Sequence, residues 1–281
     1  MTSAEQEGWA ARKRMVDVGG LAMACIEVPG AEPALLLIHG FTDTSRSFSL
    51  LAPHLAGRRL IMPDLRGHGA SQTGTSRFRP ADFADDLAGL IEKLQLERPV
   101  VVGHSLGAMV AIEMAARHGG LVGELVLLAG TLKADIAADH PMVTGVEALR
   151  DPISPTHPFY DYWHACRPDV PRPFLVKAAQ EASAMPAALW RAILEQIRHA
   201  DLTQTMRTLR ARALVVGGAC DPLFGDAHQQ ALVQALADAF FVRVEGCGHN
   251  PHWEEPALVA AAITVELSRA GVVVSVPKAC R

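Results

Sequence analysis

The stretch Pro99-Val100-Val101-Val102-Gly103-His104-Ser105-Leu106-Gly107-Ala108-Met109 joins a β-branched apolar run to a segment with helical spacing. Within it, Gly103-His104-Ser105-Leu106-Gly107 matches the pattern G-x-S-x-G. On a sharp turn between a strand and a helix, such a serine has a strained backbone, and its hydroxyl stands clear of the sheet. Glycines on either side leave room where a Cβ would meet neighbouring backbone. The context therefore indicates a nucleophile at Ser105.

Segments on both sides of this stretch alternate between strand-like apolar runs and helix-like amphipathic runs. The predicted strands are Arg14–Val18, Leu21–Val28, Ala34–Ile38, Leu60–Met62, Val100–Val102, Leu125–Leu128, Ala213–Val216 and Phe240–Val244. The predicted helices among them are Arg46–Leu55, Ala81–Leu96, Leu106–His118, Asp226–Leu236 and Glu254–Arg269. This alternation is typical of a mostly parallel, twisted sheet with helices on both faces. The tail Val272–Val276 is β-prone but has no predicted place.

The alternation stops near Thr131 and resumes at about residue 208. Residues 132–207 are rich in proline, lack strand-like runs and contain helical patterns such as Phe174–Ser183 and Ala187–His199. We interpret residues 132–207 as a helical insertion. The α/β core then comprises residues 1–131 and 208–281.

The composition of the chain limits the classes of partner and the cellular location that can be expected. The 281 residues carry a formal net charge of -4, which gives no reason to expect nucleic acid or an anionic membrane surface as a partner. No apolar run is long enough to cross a bilayer, and the N-terminal residues lack a signal-peptide profile. The five cysteines are scattered, and the twelve histidines form no H-x-H or H-E-x-x-H pair. We therefore expect a cytoplasmic protein without a structural or catalytic metal.

Two further loops follow predicted strands as the serine turn does. They read Gly217-Gly218-Ala219-Cys220-Asp221-Pro222 and Glu245-Gly246-Cys247-Gly248-His249-Asn250-Pro251-His252. Because the carboxyl ends of parallel strands meet at one sheet edge, Ser105, Asp221 and His249 are expected to converge there. A serine hydroxyl needs an adjacent base, and a histidine oriented by a carboxylate supplies one. His252 is a rival for that base, but the glycine before His249 favours His249.

Five ordered blocks resemble the α/β-hydrolase superfamily over roughly Leu21 to Arg269. They are His39-Gly40-Phe41, Asp64-Leu65-Arg66-Gly67-His68-Gly69-Ala70-Ser71, Gly103–Gly107, Asp221-Pro222 and Gly248-His249-Asn250-Pro251-His252-Trp253-Glu254-Glu255-Pro256. The resemblance implies the α/β-hydrolase fold, with Leu132–Arg207 as a helical cap over the active site. It also implies an oxyanion hole made by the backbone amides of Phe41 and Leu106, a structural role for His39, and no cofactor.

The residue at the nucleophile position separates branches of this superfamily. Epoxide hydrolases and haloalkane dehalogenases have Asp there, whereas Ser105 favours acyl transfer. Gly103-His104-Ser105 and Gly40-Phe41-Thr42-Asp43 resemble esterases, enol-lactonases and cofactor-free haloperoxidases. We predict a serine hydrolase that cleaves a small-molecule ester or lactone through an acyl-enzyme. A carbon–carbon bond hydrolase of a ring-cleavage product and a non-catalytic small-molecule-binding homologue stay open as alternatives.

The insertion contains a cluster of aromatic residues at Phe159–Trp163, followed by Phe174 and Trp190. Some of them must hold the cap helices together. We nevertheless expect one or two of Tyr160, Tyr162, Trp163 and Trp190 to line the pocket for the acyl or alcohol group. Neither the substrate itself nor the oligomeric state follows from the sequence.

Overall fold

A single eight-stranded sheet forms the centre of the protein. The computed structural model describes residues 3–74 and 77–268, so the tail Val272–Val276 lies outside the described residues. The strands are β1 (Arg14–Val18), β2 (Leu21–Val28), β3 (Ala31–Ile38), β4 (Arg58–Pro63), β5 (Val100–His104), β6 (Leu125–Leu128), β7 (Ala213–Gly218) and β8 (Ala239–Val244). All eight predicted strands are present, with small differences at their ends.

The strand order explains why three distant loops meet. The order across the sheet is β1-β2-β4-β3-β5-β6-β7-β8. Strands β1 and β2 pair antiparallel, and β2 pairs antiparallel with β4, whereas every pair from β4 to β8 is parallel. The carboxyl ends of β3, β5, β7 and β8 therefore open at the same edge. The mostly parallel α/β-hydrolase fold predicted from the sequence is confirmed.

Eleven α-helices occur in the described residues. They are α1 (Ser3–Gly8), α2 (Pro80–Lys93), α3 (Leu106–Arg117), α4 (Pro141–Ala148), α5 (Phe159–Trp163), α6 (Arg172–Ser183), α7 (Ala187–His199), α8 (Thr203–Thr208), α9 (Asp226–Ala235), α10 (Pro251–Glu254) and α11 (Pro256–Ser268). Side chains of β5 show that helices cover both faces of the sheet. Val101 joins the core cluster of α2 and α3, whereas Val100 and Val102 join the cluster that contains α11. Continuous apolar strands result because both faces are buried.

Proline changes two of the predicted helices. The predicted helix Arg46–Leu55 is wrong, since the segment forms two short 3-10 helices, Ser45–Phe48 and Ala52–Leu55. The predicted helix Glu254–Arg269 is divided, because α10 ends at Glu254 and α11 begins at Pro256. Proline lacks the N–H that would continue a preceding helix, and its ring clashes with the carbonyl one turn back. Pro53 is the second residue of the second 3-10 helix, and Pro256 is the first residue of α11.

Helices α4 to α7 lie in the segment 132–207, and α8 ends one residue beyond it, at Thr208. The two ends of the segment meet, because the Leu202 amide donates to the Leu132 carbonyl at 2.8 Å, next to an isolated bridge between Lys133 and Asp201. Over the sheet edge, Glu181 of α6 pairs with the buried Arg46 at 2.6 Å. The segment is thus held by the hydrogen bond between its two ends and by the ion pair of Glu181 with the loop that follows β3. No helix within the described residues has the length and apolar character needed to span a bilayer.

Candidate active site

Ser105 lies on the turn between β5 and α3 with a strained backbone. Its φ is 52° and its ψ is -112°, which an L residue adopts only when its surroundings enforce it. The Ser105 amide donates to the Leu128 carbonyl of the neighbouring strand at 2.9 Å. A Cβ at Gly103 would lie 2.1 Å from the Gly107 carbonyl oxygen, and one at Gly107 would lie 2.1 Å from the Ile38 oxygen. Both glycines are therefore needed for the turn to close.

The structure places His249 between the other two predicted side chains, within hydrogen-bond distance of both. His249 Nε2 lies 3.0 Å from Ser105 Oγ, and His249 Nδ1 lies 2.9 Å from Asp221 Oδ2. A carboxylate can only accept, so Nδ1–H donates to Asp221 and Nε2 is free to accept the serine proton. Ser105 follows β5, Asp221 follows β7 and His249 follows β8, as their positions in the chain predict.

Asp221 is held as a carboxylate. Its side chain is fully buried, and burial alone would raise its pKa. The neighbouring His249 and the amides of Leu223 and Phe224 outweigh burial and lower the pKa of Asp221 below its usual value. Those amides donate to Asp221 Oδ1 at 2.8 and 3.0 Å. An ionised Asp221 can orient the imidazole and stabilise it when it takes up a proton.

The two other histidines near the site face away from the serine hydroxyl. His104 Nε2 donates to the His249 backbone carbonyl at 3.0 Å, and burial lowers the pKa of His104 to about 3, so it is neutral. The rival base His252 is fully buried, and its Nε2 pairs with Ser47 Oγ at 2.9 Å. His104 and His252 therefore support the loop that carries His249.

The predicted oxyanion-hole residues lie on either side of the serine turn. Leu106 is the first residue of α3, so its amide has no acceptor within the helix. Phe41 follows β3, and its ring is clamped between Trp163 and Trp190 at 5.5 Å from each. The next residue, Thr42, has a φ of 65°, and its Oγ1 accepts a hydrogen bond from Trp163 Nε1 at 2.8 Å. The cap thus holds the segment that carries the Phe41 amide.

A cavity of about 350 Å³ opens beside Ser105 and His249. Of the four predicted cap residues, Tyr162 and Trp163 line it, and Tyr160 and Trp190 do not. Tyr160 and Tyr162 are two residues apart on α5, about 200° around the helix, so they point to different sides. Tyr160 lines a separate cavity within the cap. Trp190 is fully buried and donates from Nε1 to the Ala182 carbonyl at 3.2 Å, which makes it a structural residue.

Several residues that line the cavity were not predicted from the sequence, and Asp43 is one of them. Asp43 lines the cavity, and Ser47 Oγ donates to its Oδ2 at 3.0 Å. Burial raises the pKa of Asp43 to about 7, although Ser47 and His249 act in the opposite direction. Its place two residues after Phe41 was an available signal. Within the described residues, no group of three His, Cys, Asp or Glu side chains is arranged to hold a metal ion.

Comparison with protein families agrees with this geometry. The family profile described as "alpha/beta hydrolase fold" matches residues 33–256. That range contains the serine turn and the loops that carry Asp221 and His249. It also contains the whole segment 132–207.

Curated relatives and solved structures extend the match to nearly full length. The chain is 32% identical over 251 residues to a pimeloyl-acyl-carrier-protein methyl ester esterase of Aromatoleum aromaticum, covering 82% of this chain and 96% of the relative. It is 28% identical over 260 residues to a 2-(acetamidomethylene)succinate hydrolase of Mesorhizobium japonicum, covering 89% and 93%. The structure of a thermophilic esterase from Thermogutta terrifontis, described as malate bound, matches with a TM-score of 0.78 and 25% identity over 92% of this chain and 98% of that one.

Proposed function

Because this chain belongs to the α/β-hydrolase-fold family, we propose that it is a serine hydrolase that cleaves an ester or lactone of a small molecule. One observation carries the proposal. Ser105, His249 and Asp221 form a continuous hydrogen-bonded relay at the wall of a cavity. The serine has a base within reach, and the base has a carboxylate that fixes its tautomer, which is the arrangement that activates a hydroxyl for acyl transfer.

In the first half of the reaction, Ser105 Oγ attacks the substrate carbonyl while His249 Nε2 takes its proton. The carbonyl oxygen gains negative charge and is stabilised by the amides of Phe41 and Leu106, each worth about 3 kcal/mol where such donors have been measured. His249 then returns the proton to the departing alcohol oxygen. An ester between Ser105 and the acyl group remains.

In the second half, water enters beside His249 and attacks this ester. His249 takes a proton from the water, and the same two amides stabilise the second oxyanion. Collapse of the intermediate releases the carboxylic acid and returns the proton to Ser105. Each step uses side chains and backbone amides of this chain together with water, so the proposed mechanism requires no cofactor.

Three features support an ester or lactone as the substrate class. Serine at the turn supports acyl transfer, whereas an aspartate there would support epoxide or haloalkane chemistry. A curated relative at 32% identity is named as a methyl ester esterase. The cavity, at about 350 Å³, suits a small molecule. We propose that the protein acts in the cytoplasm on such a substrate.

The test is a rapid-quench experiment with a p-nitrophenyl ester. We expect a burst of p-nitrophenol equal to the enzyme concentration, followed by a slower steady rate, and loss of both in Ser105→Ala. A matched control is Ser268→Ala, which removes an exposed hydroxyl that bonds only its own helix. A wild-type protein that binds the ester without turning it over would favour the non-catalytic homologue.

A substrate panel separates the remaining reactions. It should contain aliphatic esters, lactones, vinylogous diketones and an acetamide, the last because one relative is named for an acetamidomethylene substrate. A rate for the diketones well above that of every ester would favour the carbon–carbon hydrolase. The proposal expects esters or lactones to be cleaved fastest.

A further inference from the structure

The substrate cavity contains a buried carboxyl group that the proposed mechanism does not use. Asp43 lies on the loop after β3, and 9% of its side chain is exposed. It lines the same cavity as Ser105 and His249. Its polar contacts are a hydrogen bond from Ser47 Oγ at 3.0 Å, a hydrogen bond from the Gly40 backbone and an approach of 3.8 Å to His104 Nδ1.

No fixed positive charge balances this carboxyl group. Among the ion pairs of residues 3–74 and 77–268, His104 is its only partner within 4 Å. His104 cannot serve as a cation, because its Nε2 donates to a carbonyl and its burial keeps it neutral, which leaves a lone pair at Nδ1. A buried carboxylate without a neighbouring cation is unfavourable, so a bound cation would stabilise the charged form of Asp43.

The other charged residues that line the cavity supply no unpaired positive charge to balance Asp43. Arg167 is the one lysine or arginine among the lining residues, and it is paired with Glu255 and Asp169. Glu254 is a second acid in the wall and accepts from the Gly248 amide at 3.1 Å. An anionic group on a substrate would therefore meet two acids and an arginine that is already neutralised.

Aromatic side chains make up much of the remaining wall. Phe41, Tyr162, Trp163 and Trp253 all line the cavity. The faces of such rings attract cations, and the attraction is stronger where water is excluded. An unbalanced carboxyl group among aromatic rings is the chemistry that recognises a cationic nitrogen.

We propose that Asp43 determines substrate specificity by binding a cationic nitrogen, so that the preferred substrates are esters that carry an ammonium group. This inference rests on the proposed function of the same cavity and names its substrate class. It also separates this chain from relatives whose names include succinate. The ammonium group would lie against Asp43 while the ester carbonyl faces Ser105.

The experiment compares three acetate esters of matched shape. These are acetylcholine, its uncharged isostere 3,3-dimethylbutyl acetate, and the anionic 4-acetoxy-2,2-dimethylbutanoate. At pH 8 we expect kcat/KM to be about tenfold higher for the cation than for the neutral ester, the value of one hydrogen bond or contact to a charged group. We expect the anion to be the poorest of the three.

Asp43→Asn should reduce the ratio of cation to neutral ester to about one, since it keeps the shape and removes the charge. The control Asp161→Asn removes an exposed carboxylate of α5, which lines the separate cap cavity, and should leave the ratio unchanged. Thermal melting of each variant shows whether it is folded. If Asp43→Asn melts early, Ser47→Ala provides a second measurement, because loss of its hydrogen bond should also change the ratio.

The pH dependence of this ratio is a further readout. The groups that face Asp43 are His104 of β5, His249 after β8 and Glu181 of α6. With its pKa raised to about 7 by burial, Asp43 becomes charged between pH 6 and 8, so the ratio should rise over that range.

Several outcomes would overturn the inference. They are equal rates for the cationic and neutral esters, a preference for the anion, or a cation preference that survives Asp43→Asn. If no ester is cleaved, the proposed function fails, and calorimetry with Ser105→Ala still decides the inference. Choline should then bind more tightly than 3,3-dimethylbutanol, and equal affinity would refute a cation site.

Discussion

Thr42→Val is expected to slow catalysis although Thr42 does not line the cavity. The substitution keeps the β-branched shape at a φ of 65° and removes the Oγ1 that accepts the 2.8 Å hydrogen bond from Trp163 Nε1. That bond fixes the residue directly after Phe41, whose amide is proposed to stabilise the oxyanion. The change therefore acts on the position of a donor and leaves the relay of Ser105 intact.

The size of the effect follows from the value of one hydrogen bond. A neutral bond contributes about 1 kcal/mol, and 1.4 kcal/mol corresponds to tenfold in rate. If most of that energy positions the loop in the transition state, kcat should fall by about fivefold. The KM should change little, because the bond does not involve the substrate. The loss in kcat should not exceed about fivefold, because the contacts of the Phe41 ring with Trp163 and Trp190 persist in the variant and still hold the loop.

A double-mutant cycle with Trp163→Phe tests the reasoning. Trp163 also lines the cavity, so its single variant should change KM as well as kcat. The double variant should lose less in kcat than the two single losses combined, with a coupling energy of about 1 kcal/mol. Thr144→Val, an exposed threonine of α4, is the control. An unchanged kcat in Thr42→Val, or additive losses in the double variant, would refute the role of the cap in holding the oxyanion loop.

Three further outcomes are expected. Asp221→Asn should lower kcat for ester hydrolysis by about 10⁴-fold in steady-state assays, because the imidazole loses the acceptor that fixes its tautomer. Gly107→Ala places a Cβ 2.1 Å from a strand carbonyl and should lower the free energy of unfolding by about 3 kcal/mol or more in urea titrations, whereas Gly119→Ala, with open space around it, should change it by less than about 0.5 kcal/mol. Burial lowers the pKa of His68 to about 4, below its value of about 6.5 in the unfolded chain, so the contribution of His68 to the free energy of unfolding should be full above pH 6.5 and be lost as the pH falls towards 4. Other buried histidines such as His104 contribute in the same direction, so His68→Gln should reduce the fall in the urea midpoint over this range without abolishing it, and the exposed control His199→Gln should leave that fall unchanged.

The parts of the fold that the sequence predicted are those that depend on local pattern. Each strand is an apolar run buried on both faces, and such runs are visible without knowledge of their neighbours. Parallel order then fixes which loops share an edge, so Ser105, Asp221 and His249 could be brought together before any distance was known. Their catalytic roles stay predictions that the variants above test.

The errors arise where the outcome depends on packing across the chain. The segment Arg46–Leu55 has helical spacing, but Pro53 and contacts with the sheet leave only 3-10 turns. The sequence shows that the cap has aromatic residues but not which way they point, so it does not separate Tyr160 and Trp190 from the residues that line the cavity. The sequence places Asp43 only on a loop, because its burial and its lack of a neighbouring cation arise when β5, α6 and the loop after β8 surround it.

The cap contacts also change how the site should be understood. Trp163 lines the cavity and donates to Thr42, and Glu181 of α6 bonds both Arg46 and Thr44 Oγ1 in the same loop. Trp163, which lines the cavity, is thus bonded to the residue after Phe41, whose amide is proposed as an oxyanion donor. If the proposed function is correct, a substitution at Trp163 should move that amide as well as alter which substrate fits. Substitutions of cap residues that contact the loop after β3 should therefore change kcat as well as KM.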